Sequence, residues 1–261
     1  MSEGKKEILL GDCLELMEDI PNGSIDMILC DLPYGTTQNK WDNIIYLPKL
    51  WEQYERIIKP NGVIVLTASQ PFTSQLVMSN LKLFKYSLVW NKKIVTGFLN
   101  SKRQPLRQHE DILVFYSKQP TYNPQMHQNK LKRNFEGAEK KPSTENYGKQ
   151  KNYISTVKDD ISYPRSIIEQ TGVVNNSSQK VAHPTQKPIA LFEYLVNTYT
   201  NENDLVLDNT AGSGTTAIAC LNTNRQFIVM EKEQKYYDII LKRVGDFNKN
   251  FEPKTLFGNG M

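Results

Sequence analysis

A carboxylate and an aromatic ring follow an apolar segment near the N-terminus. Residues 25–30 predict a strand, and Asp31-Leu32-Pro33-Tyr34-Gly35 comes directly after it. In an open α/β sheet, ligands bind beyond the carboxyl ends of the strands. Asp31 and Tyr34 are therefore expected in a ligand site, although Tyr34 is also compatible with an ordinary buried tyrosine in a turn.

A glycine-rich turn forms a second candidate site. Residues 205–207 form an apolar strand that ends in Asp208, and residues 209–215 separate it from a predicted helix over residues 217–221. Glycine permits close ligand approach, and the free N–H groups of the helix point at the turn. The next strand ends in Glu231, which is placed to accept hydrogen bonds from ribose hydroxyls. The pattern predicts a nucleoside-containing cofactor; the alternative is an ordinary strand-to-helix turn.

Two common nucleotide-binding motifs do not fit this turn. A P-loop has Gly-Lys-Ser/Thr at its end, whereas Gly214 is followed here by Thr215-Thr216. The G-x-G-x-x-G fingerprint has a third glycine where this chain has Ala217. Neither motif is therefore predicted.

Strands and helices that alternate along the chain must position these residues. Branched apolar runs predict strands over residues 7–10, 27–30, 62–67, 87–90, 112–116, 205–208 and 226–231. Helical spacing predicts helices over residues 46–59 and 188–199, and Pro60-Asn61-Gly62 is expected to end the first and form a turn. The order is typical of an α/β, doubly wound fold with a mostly parallel, Rossmann-like sheet.

Residues 118–181 differ in composition from the rest of the chain. They are polar, rich in Pro, Gly, Asn and Ser, and lack sustained periodicity. We interpret residues 1–117 and 182–261 as one core and residues 118–181 as an insertion.

The basic residues are unevenly distributed. The net charge is only +4, but residues 82–107 contain seven basic and no acidic residues, and residues 128–151 contain seven basic and three acidic ones. Such stretches suit DNA phosphates, although a solvated lysine-rich surface has the same composition. The candidate phosphate contacts are Lys92, Lys93, Lys102, Arg103, Arg107, Lys130, Lys132 and Arg133.

Several classes of protein are disfavoured by composition. No run approaches the roughly 18 apolar residues of a membrane span, and no signal-peptide apolar region follows the charged N-terminus, so a cytoplasmic protein is expected. The cysteines Cys13, Cys30 and Cys220 and the three histidines lack the spacing of a zinc site or a disulfide framework. No metal site is expected.

The motifs together resemble one enzyme family. Asp31-Leu32-Pro33-Tyr34 resembles the Asp/Asn/Ser-Pro-Pro-Tyr/Phe signature of DNA amino-methyltransferases, and the glycine-rich turn resembles their cofactor loop. Gly11-Asp12-Cys13-Leu14 and His183-Pro184-Thr185-Gln186-Lys187-Pro188 are similar to two further segments of that family. The order, with the tetrapeptide first and the cofactor loop last, resembles the circularly permuted beta class. Residues 118–181 then stand where the family has its target recognition domain.

The resemblance implies that S-adenosylmethionine donates a methyl group to an exocyclic nitrogen of a base flipped out of double-stranded DNA. The product of the cofactor would be S-adenosylhomocysteine. Asp31 and the Leu32 carbonyl would hold the amine beside Pro33, and Tyr34 would stack on the base. Lys187 would either hold the methionine end or face solvent. The implied cofactor residues are Asp12 and Cys13 beside the adenine, Glu231 on the ribose, Gly212, Ser213, Gly214 and Thr215 around the methionine, and Asp31, Lys187, Asp208 and Ala211 nearby.

Several alternatives remain open. Asp31 in the first position favours adenine N6 over cytosine N4, while an RNA methyltransferase or a catalytically silent DNA-binding module is also compatible with the motifs. Cytosine C5 chemistry is disfavoured because its nucleophile is typically the cysteine of a Pro-Cys pair, which the chain lacks. A homodimer and a cognate restriction endonuclease are family expectations.

Two departures from the family pattern stand out. Leu32 replaces the usual first proline of the tetrapeptide, and Asn209-Thr210 replace a common Pro-Phe pair. The second departure removes an aromatic face near the cofactor.

Overall fold

The computed structural model describes residues 4–36, 39, 42–128, 139–140, 153–154, 161–173 and 186–247. The chain divides into two compact units, one of Met1–Asn123 with Ser166–Met261 and the other of Pro124–Arg165. The candidate residues described below all belong to the first unit.

The first unit is built on an eight-stranded sheet with the order β1-β12-β11-β2-β3-β5-β4-β10. Its strands are β1 (Lys6–Leu10), β2 (Ile25–Asp31), β3 (Ile58–Ala68), β4 (Phe84–Thr96), β5 (Arg107–Phe115), β10 (Ile167–Glu169), β11 (Leu205–Asp208) and β12 (Gln226–Glu231). Neighbouring strands are parallel except at β5, which runs antiparallel to both β3 and β4. The predicted doubly wound α/β fold with a mostly parallel sheet is confirmed.

Helices cover both faces of the sheet. They are α1 (Cys13–Glu18), α2 (Leu47–Ile57), α3 (Phe72–Ser79), α4 (Ile189–Tyr199), α5 (Thr215–Asn222) and α6 (Gln234–Phe247). Because side chains alternate along a strand, Met27 and Leu29 of β2 pack in the cluster that contains α4, α5 and α6. Ile28 and Cys30 pack in the opposite cluster with α1, α2 and α3. Burial on both faces explains why the central strands are apolar without interruption.

The second unit, described by itself, contains two short antiparallel pairs. Strand β6 (His127–Gln128) pairs with β9 (Ile161–Ser162), and β7 (Glu139–Lys140) pairs with β8 (Tyr153–Ile154). This unit falls within the predicted insertion of residues 118–181. Strand β10 also falls within those residues and pairs with β4 of the main sheet. A role of the second unit in target recognition stays a prediction.

The predicted turn at Pro60-Asn61-Gly62 is wrong. Helix α2 ends at Ile57 and β3 begins at Ile58, so these residues lie within a strand. Ile58 pairs with Ile25 of β2, and the pairing resumes at Val63 opposite Met27. The extra residues form a bulge, where a proline that cannot donate a ladder hydrogen bond is tolerated.

Gly62→Ala is expected to destabilise the fold by roughly 1–3 kcal/mol, the usual cost of overpacking. A Cβ at this position would lie 2.8 Å from Cδ1 of Ile58 and 2.9 Å from the carbonyl oxygen of Asp26. Urea unfolding measures the change. The matched control is Gly245→Ala in α6, where a Cβ meets nothing within 4 Å. Alanine favours a helix there, so equal losses in the two variants would contradict the steric explanation.

Candidate active site

The carboxyl ends of three neighbouring strands bring the two predicted motifs together. Asp31 ends β2, Asp208 ends β11 and Glu231 ends β12, and β11 lies between the other two strands. Residues about 180 positions apart in the chain are therefore adjacent in space. The topology explains how the permuted motif order still forms one site.

A cavity of about 820 Å³ opens at this edge of the sheet, within the range of small-molecule sites. The predicted site residues that line it are Asp12, Cys13, Asp31, Leu32, Pro33, Tyr34, Lys187, Asp208, Ala211, Gly212, Ser213, Thr215 and Glu231, together with Lys92 and Arg107 of the predicted phosphate contacts. Gly214 lies between two lining residues.

Three donors hold the carboxylate of Asp31. Its Oδ1 accepts hydrogen bonds from the Tyr34 hydroxyl at 2.8 Å and from the Thr67 hydroxyl. Its Oδ2 accepts a bond of 2.6 Å from Nζ of Lys187. Thr67 is placed for this contact by the strand register, which pairs it with Asp31. The carboxylate is thereby fixed in one orientation at the cavity wall.

Lys187 is buried in the site and does not face solvent. Its Nζ lies 2.6 Å from Oδ2 of Asp31 and 3.3 Å from Oε2 of Glu110, and Oε1 of Glu110 accepts a bond of 3.1 Å from Nζ of Lys92. Burial alone would lower the pKa of Lys187, but the two carboxylates outweigh it and raise that pKa. Two ammonium groups and two carboxylates thus form a balanced buried row, which we call the four-charge row: Asp31, Lys187, Glu110 and Lys92.

Glu110 was missed by the sequence reasoning. It lies in β5, just outside the acid-free stretch of residues 82–107, and it lines the cavity. Burial would raise its pKa, but the charges of Lys187 and Lys92 outweigh this and lower it. A glutamate ahead of a strongly apolar strand run was the available signal, but only the pairing of β4 with β5 brings it to the site.

The prediction that Lys92 contacts phosphate does not fit the structure. Its side chain is buried and held by Glu110. Lys93 is exposed but lies 3.0 Å from Glu169 in an ion pair. Lys102, Arg103 and Arg107 are exposed. Further candidates lie outside the described residues: Lys130, Lys132, Arg133 and the segment His183-Pro184-Thr185.

Tyr34 packs against Phe72 at the start of α3. The ring centroids are 5.5 Å apart and the planes are inclined by 23°. Burial raises the pKa of the Tyr34 hydroxyl well above its ordinary value, so this hydroxyl stays protonated and donates to Asp31. Lys187 Nζ lies 5.5 Å from the ring centroid. Stacking of Tyr34 on a base stays a prediction.

The glycine-rich turn is organised by the two acidic strand ends. Oδ1 of Asp208 accepts a bond of 3.0 Å from the Thr210 amide, and Oδ2 accepts one from the Thr216 hydroxyl. Both oxygens of Glu231 accept amide bonds of 2.8 Å, one of them from Gly212. Gly212 and Gly214 have left-handed backbone angles, with φ of 54° and 77°, which glycine adopts without strain. Gly214 also serves as the N-cap of α5 and leaves the helix start without a side-chain cap.

The departure at Asn209-Thr210 creates polar contacts inside the core. Oδ1 of the buried Asn209 accepts bonds from the Tyr54 hydroxyl at 2.6 Å and the Cys30 thiol at 2.9 Å. The Thr210 hydroxyl donates to the carbonyl of Asp31 at 3.2 Å. Hydrogen bonds to α2 and β2 therefore hold the turn.

Asp12 and Cys13 lie at the start of α1, beside the end of β1. Asp12 is the N-cap, and its Oδ1 accepts a bond of 3.0 Å from the Leu14 amide. Lys232 lies 3.0 Å from Oδ2 and lowers the pKa of Asp12. Cys13, like Cys30 and Cys220, is a buried free thiol, and burial raises the pKa of all three. Their role as packing residues fits this geometry better than nucleophilic chemistry.

The cavity has the features that a nucleoside cofactor requires. Buried carboxylates stand at the ends of two strands, side-chain-free glycines allow close approach, and the uncapped N-terminus of α5 favours an anionic group. The residues present therefore fit S-adenosylmethionine, although the individual contacts stay predictions.

The buried carboxyl of Asp208 makes stability depend on pH. Burial raises its pKa from 3.8 to about 7, so its contribution is fully present below about pH 4 and is lost as the pH rises through 7. Asp208→Asn cannot ionise. We expect wild-type stability to fall relative to this variant by roughly 2–4 kcal/mol between pH 4.5 and 7.5. Urea unfolding across this range measures the difference, and parallel curves would contradict the assignment.

Comparison with known proteins gives a consistent assignment. The family model described as DNA methylase matches residues 25–242. The type II methyltransferase M.BglII of Bacillus subtilis is 29% identical and is aligned over 94% of this chain and 71% of its own. The DNA adenine methyltransferase YhdJ of Escherichia coli K12 is 27% identical, with coverage of 92% and 82%.

Solved structures agree in fold. The M1.HpyAVI complex with S-adenosylmethionine superposes with a TM-score of 0.61 at 26% identity, over 91% of this chain and 98% of that one. The cytosine-N4-specific PvuII DNA methyltransferase has a TM-score of 0.65 at 16% identity, over 99% and 89%. This chain belongs to the DNA methylase family of S-adenosylmethionine-dependent amino-methyltransferases.

Proposed function

We propose that this enzyme methylates the N6 amine of adenine within a specific sequence of double-stranded DNA. The observation that carries the proposal is the carboxylate of Asp31, fixed by three donors at the cavity wall beside the glycine-rich turn. The amine of a nucleobase is conjugated with its ring and is a poor nucleophile, so a site must position it and favour its lone-pair-bearing form.

The hydrogen-bonding capacity of Asp31 leaves room for this amine. An ionised carboxylate offers about four acceptor positions, and the donors from Tyr34, Thr67 and Lys187 use three of them. Two of these bonds go to Oδ1, so the remaining position is on Oδ2. We assign the amine of the flipped base to that position, with its second hydrogen on the Leu32 carbonyl.

S-adenosylmethionine, when bound, supplies an electrophilic methyl group on a sulfonium. That methyl group would pass to the amine nitrogen, S-adenosylhomocysteine would leave, and the proton that the amine gives up would pass by way of the Asp31 carboxylate to solvent. Asp31 holds the lone pair towards the methyl group. Lys187 keeps a positive charge beside Asp31, since its pKa is raised, and its bond to Oδ2 helps to hold the carboxylate in place for the amine.

The choice of adenine rests on the first residue of the tetrapeptide and on a named relative. Asp31 stands where serine would favour cytosine N4, and YhdJ is a DNA adenine methyltransferase. The same mechanism serves cytosine N4, which is the second candidate because the PvuII enzyme shares the fold.

The partners and the setting follow from this activity. Exposed Lys102, Arg103 and Arg107 provide phosphate contacts for double-stranded DNA. Type II relatives support a restriction-modification system with a cognate endonuclease. We also propose that the enzyme is cytoplasmic and that it forms a homodimer. Among the described residues, no helix is both long enough and apolar enough to cross a membrane.

Nucleoside mass spectrometry tests the activity directly. Unmethylated bacterial DNA and a parallel RNA sample are incubated with the enzyme and S-adenosylmethionine. N6-methyladenine is expected in DNA alone, and Asp31→Ala should reduce it by about 100-fold or more, because the amine loses its acceptor. Asp19→Ala, at an exposed carboxylate after α1, is the control. N4-methylcytosine would correct the base, methylated RNA would correct the substrate, and absence of every product would contradict the proposed function.

Glu110 is predicted to be a positioning residue that acts through Lys187. Glu110→Gln removes one of the two carboxylates that raise the pKa of Lys187, so that pKa falls. We expect kcat to drop by about tenfold and the alkaline limb of its pH profile to move to lower pH. Glu169→Gln removes the acid of an exposed ion pair of the same type and should change neither. A profile of unchanged shape in Glu110→Gln, with the fold checked by thermal melting, would contradict this role.

A further inference from the structure

The connection between β4 and β5 exposes two apolar side chains at its tip. The short 3-10 helix Phe98–Asn100 forms the tip, with Phe98 64% exposed and Leu99 completely exposed. Backbone bonds hold this turn together, including Asn100 to Gly97 at 2.9 Å and Gln104 to Asn100 at 3.0 Å. The tip is therefore a defined turn that presents Phe98 and Leu99 away from the core.

The base of this connection lies at the cavity. Ile94 and Thr96 on the β4 side and Arg107 on the β5 side all line the cavity, and Thr96 pairs with Arg107 where the two strands separate. The tip is thus continuous with the cavity wall and projects from it.

The charge around the tip favours DNA over an apolar protein surface. Lys102 and Arg103 are exposed and follow the tip directly, and no acidic residue occurs from 82 to 107. A duplex presents phosphates at its rim and apolar base faces inside its stack. Both kinds of side chain at the tip therefore have a matching group on DNA.

We propose that Phe98 and Leu99 act as a wedge that enters the base stack when the target base leaves it. The inference rests on the proposed function and adds a step to it. A flipped base leaves a gap between its neighbours, and apolar side chains that fill the gap offset the cost of unstacking. Lys102 and Arg103 bind the flanking phosphates and hold the tip at that step.

The target site is first mapped on plasmid DNA that the enzyme has methylated. Two short duplexes that contain this site are then compared as substrates. In one duplex the target base is paired; in the other it faces an abasic position and needs little help to leave the stack. Phe98→Ala combined with Leu99→Ala is expected to slow methylation of the paired duplex by about tenfold or more and of the abasic duplex by less than about twofold. The control is Met78→Ala combined with Leu81→Ala, since both are exposed apolar residues that do not line the cavity.

Equal effects on the two substrates would overturn the wedge. So would a change of oligomeric state in sedimentation, because the tip would then be a contact between copies of the chain. If the wild-type enzyme methylates nothing, the proposed function fails. The wedge is then tested separately by relaxing a plasmid with topoisomerase while the protein is bound and measuring the linking number of the plasmid. A wedge unwinds the duplex, so the wild type must shift the linking number and the double variant must not.

Discussion

The ion pair between Asp31 and Lys187 is the contact on which the site depends. It joins the end of β2 to the segment before α4, across 156 positions of the chain. A buried charge without a partner costs several kcal/mol, and each of these two residues supplies the opposite charge that the other needs. Glu110 and Lys92 extend the pair into the four-charge row, whose net charge is zero. The row therefore fixes the position of the Asp31 carboxylate and links it to Lys92 of β4 and Glu110 of β5.

The sheet order explains why distant motifs form a single site. Strand β11 inserts between β2 and β12, so the glycine-rich turn opens next to Asp31. Parallel pairing puts the carboxyl ends of all three strands on the same edge, and each of these ends carries an acid: Asp31, Asp208 or Glu231. Asp208 and Glu231 accept hydrogen bonds from backbone amides of the turn. Asp31 is instead held by the side chains of Tyr34, Thr67 and Lys187.

Local patterns in the sequence predicted the central strands and the residues at their ends. They succeeded because β2, β11 and β12 are buried on both faces and must be apolar. They failed where a distant partner decides the outcome. Lys92 is buried because the pairing of β4 with β5 brings it to Glu110, and Pro60 lies in a strand because β2 and β3 shift register there. No local pattern contains either pairing.

The exchange of Pro-Phe for Asn209-Thr210 illustrates how a departure can be absorbed. Proline cannot offer the amide oxygen that accepts from Tyr54 and Cys30, and phenylalanine cannot donate to the Asp31 carbonyl as Thr210 does. The turn is therefore bonded to the backbone of Asp31 at a position where the family pattern commonly has phenylalanine. The Thr210 bond therefore links the glycine-rich turn directly to the residue that we propose holds the target amine.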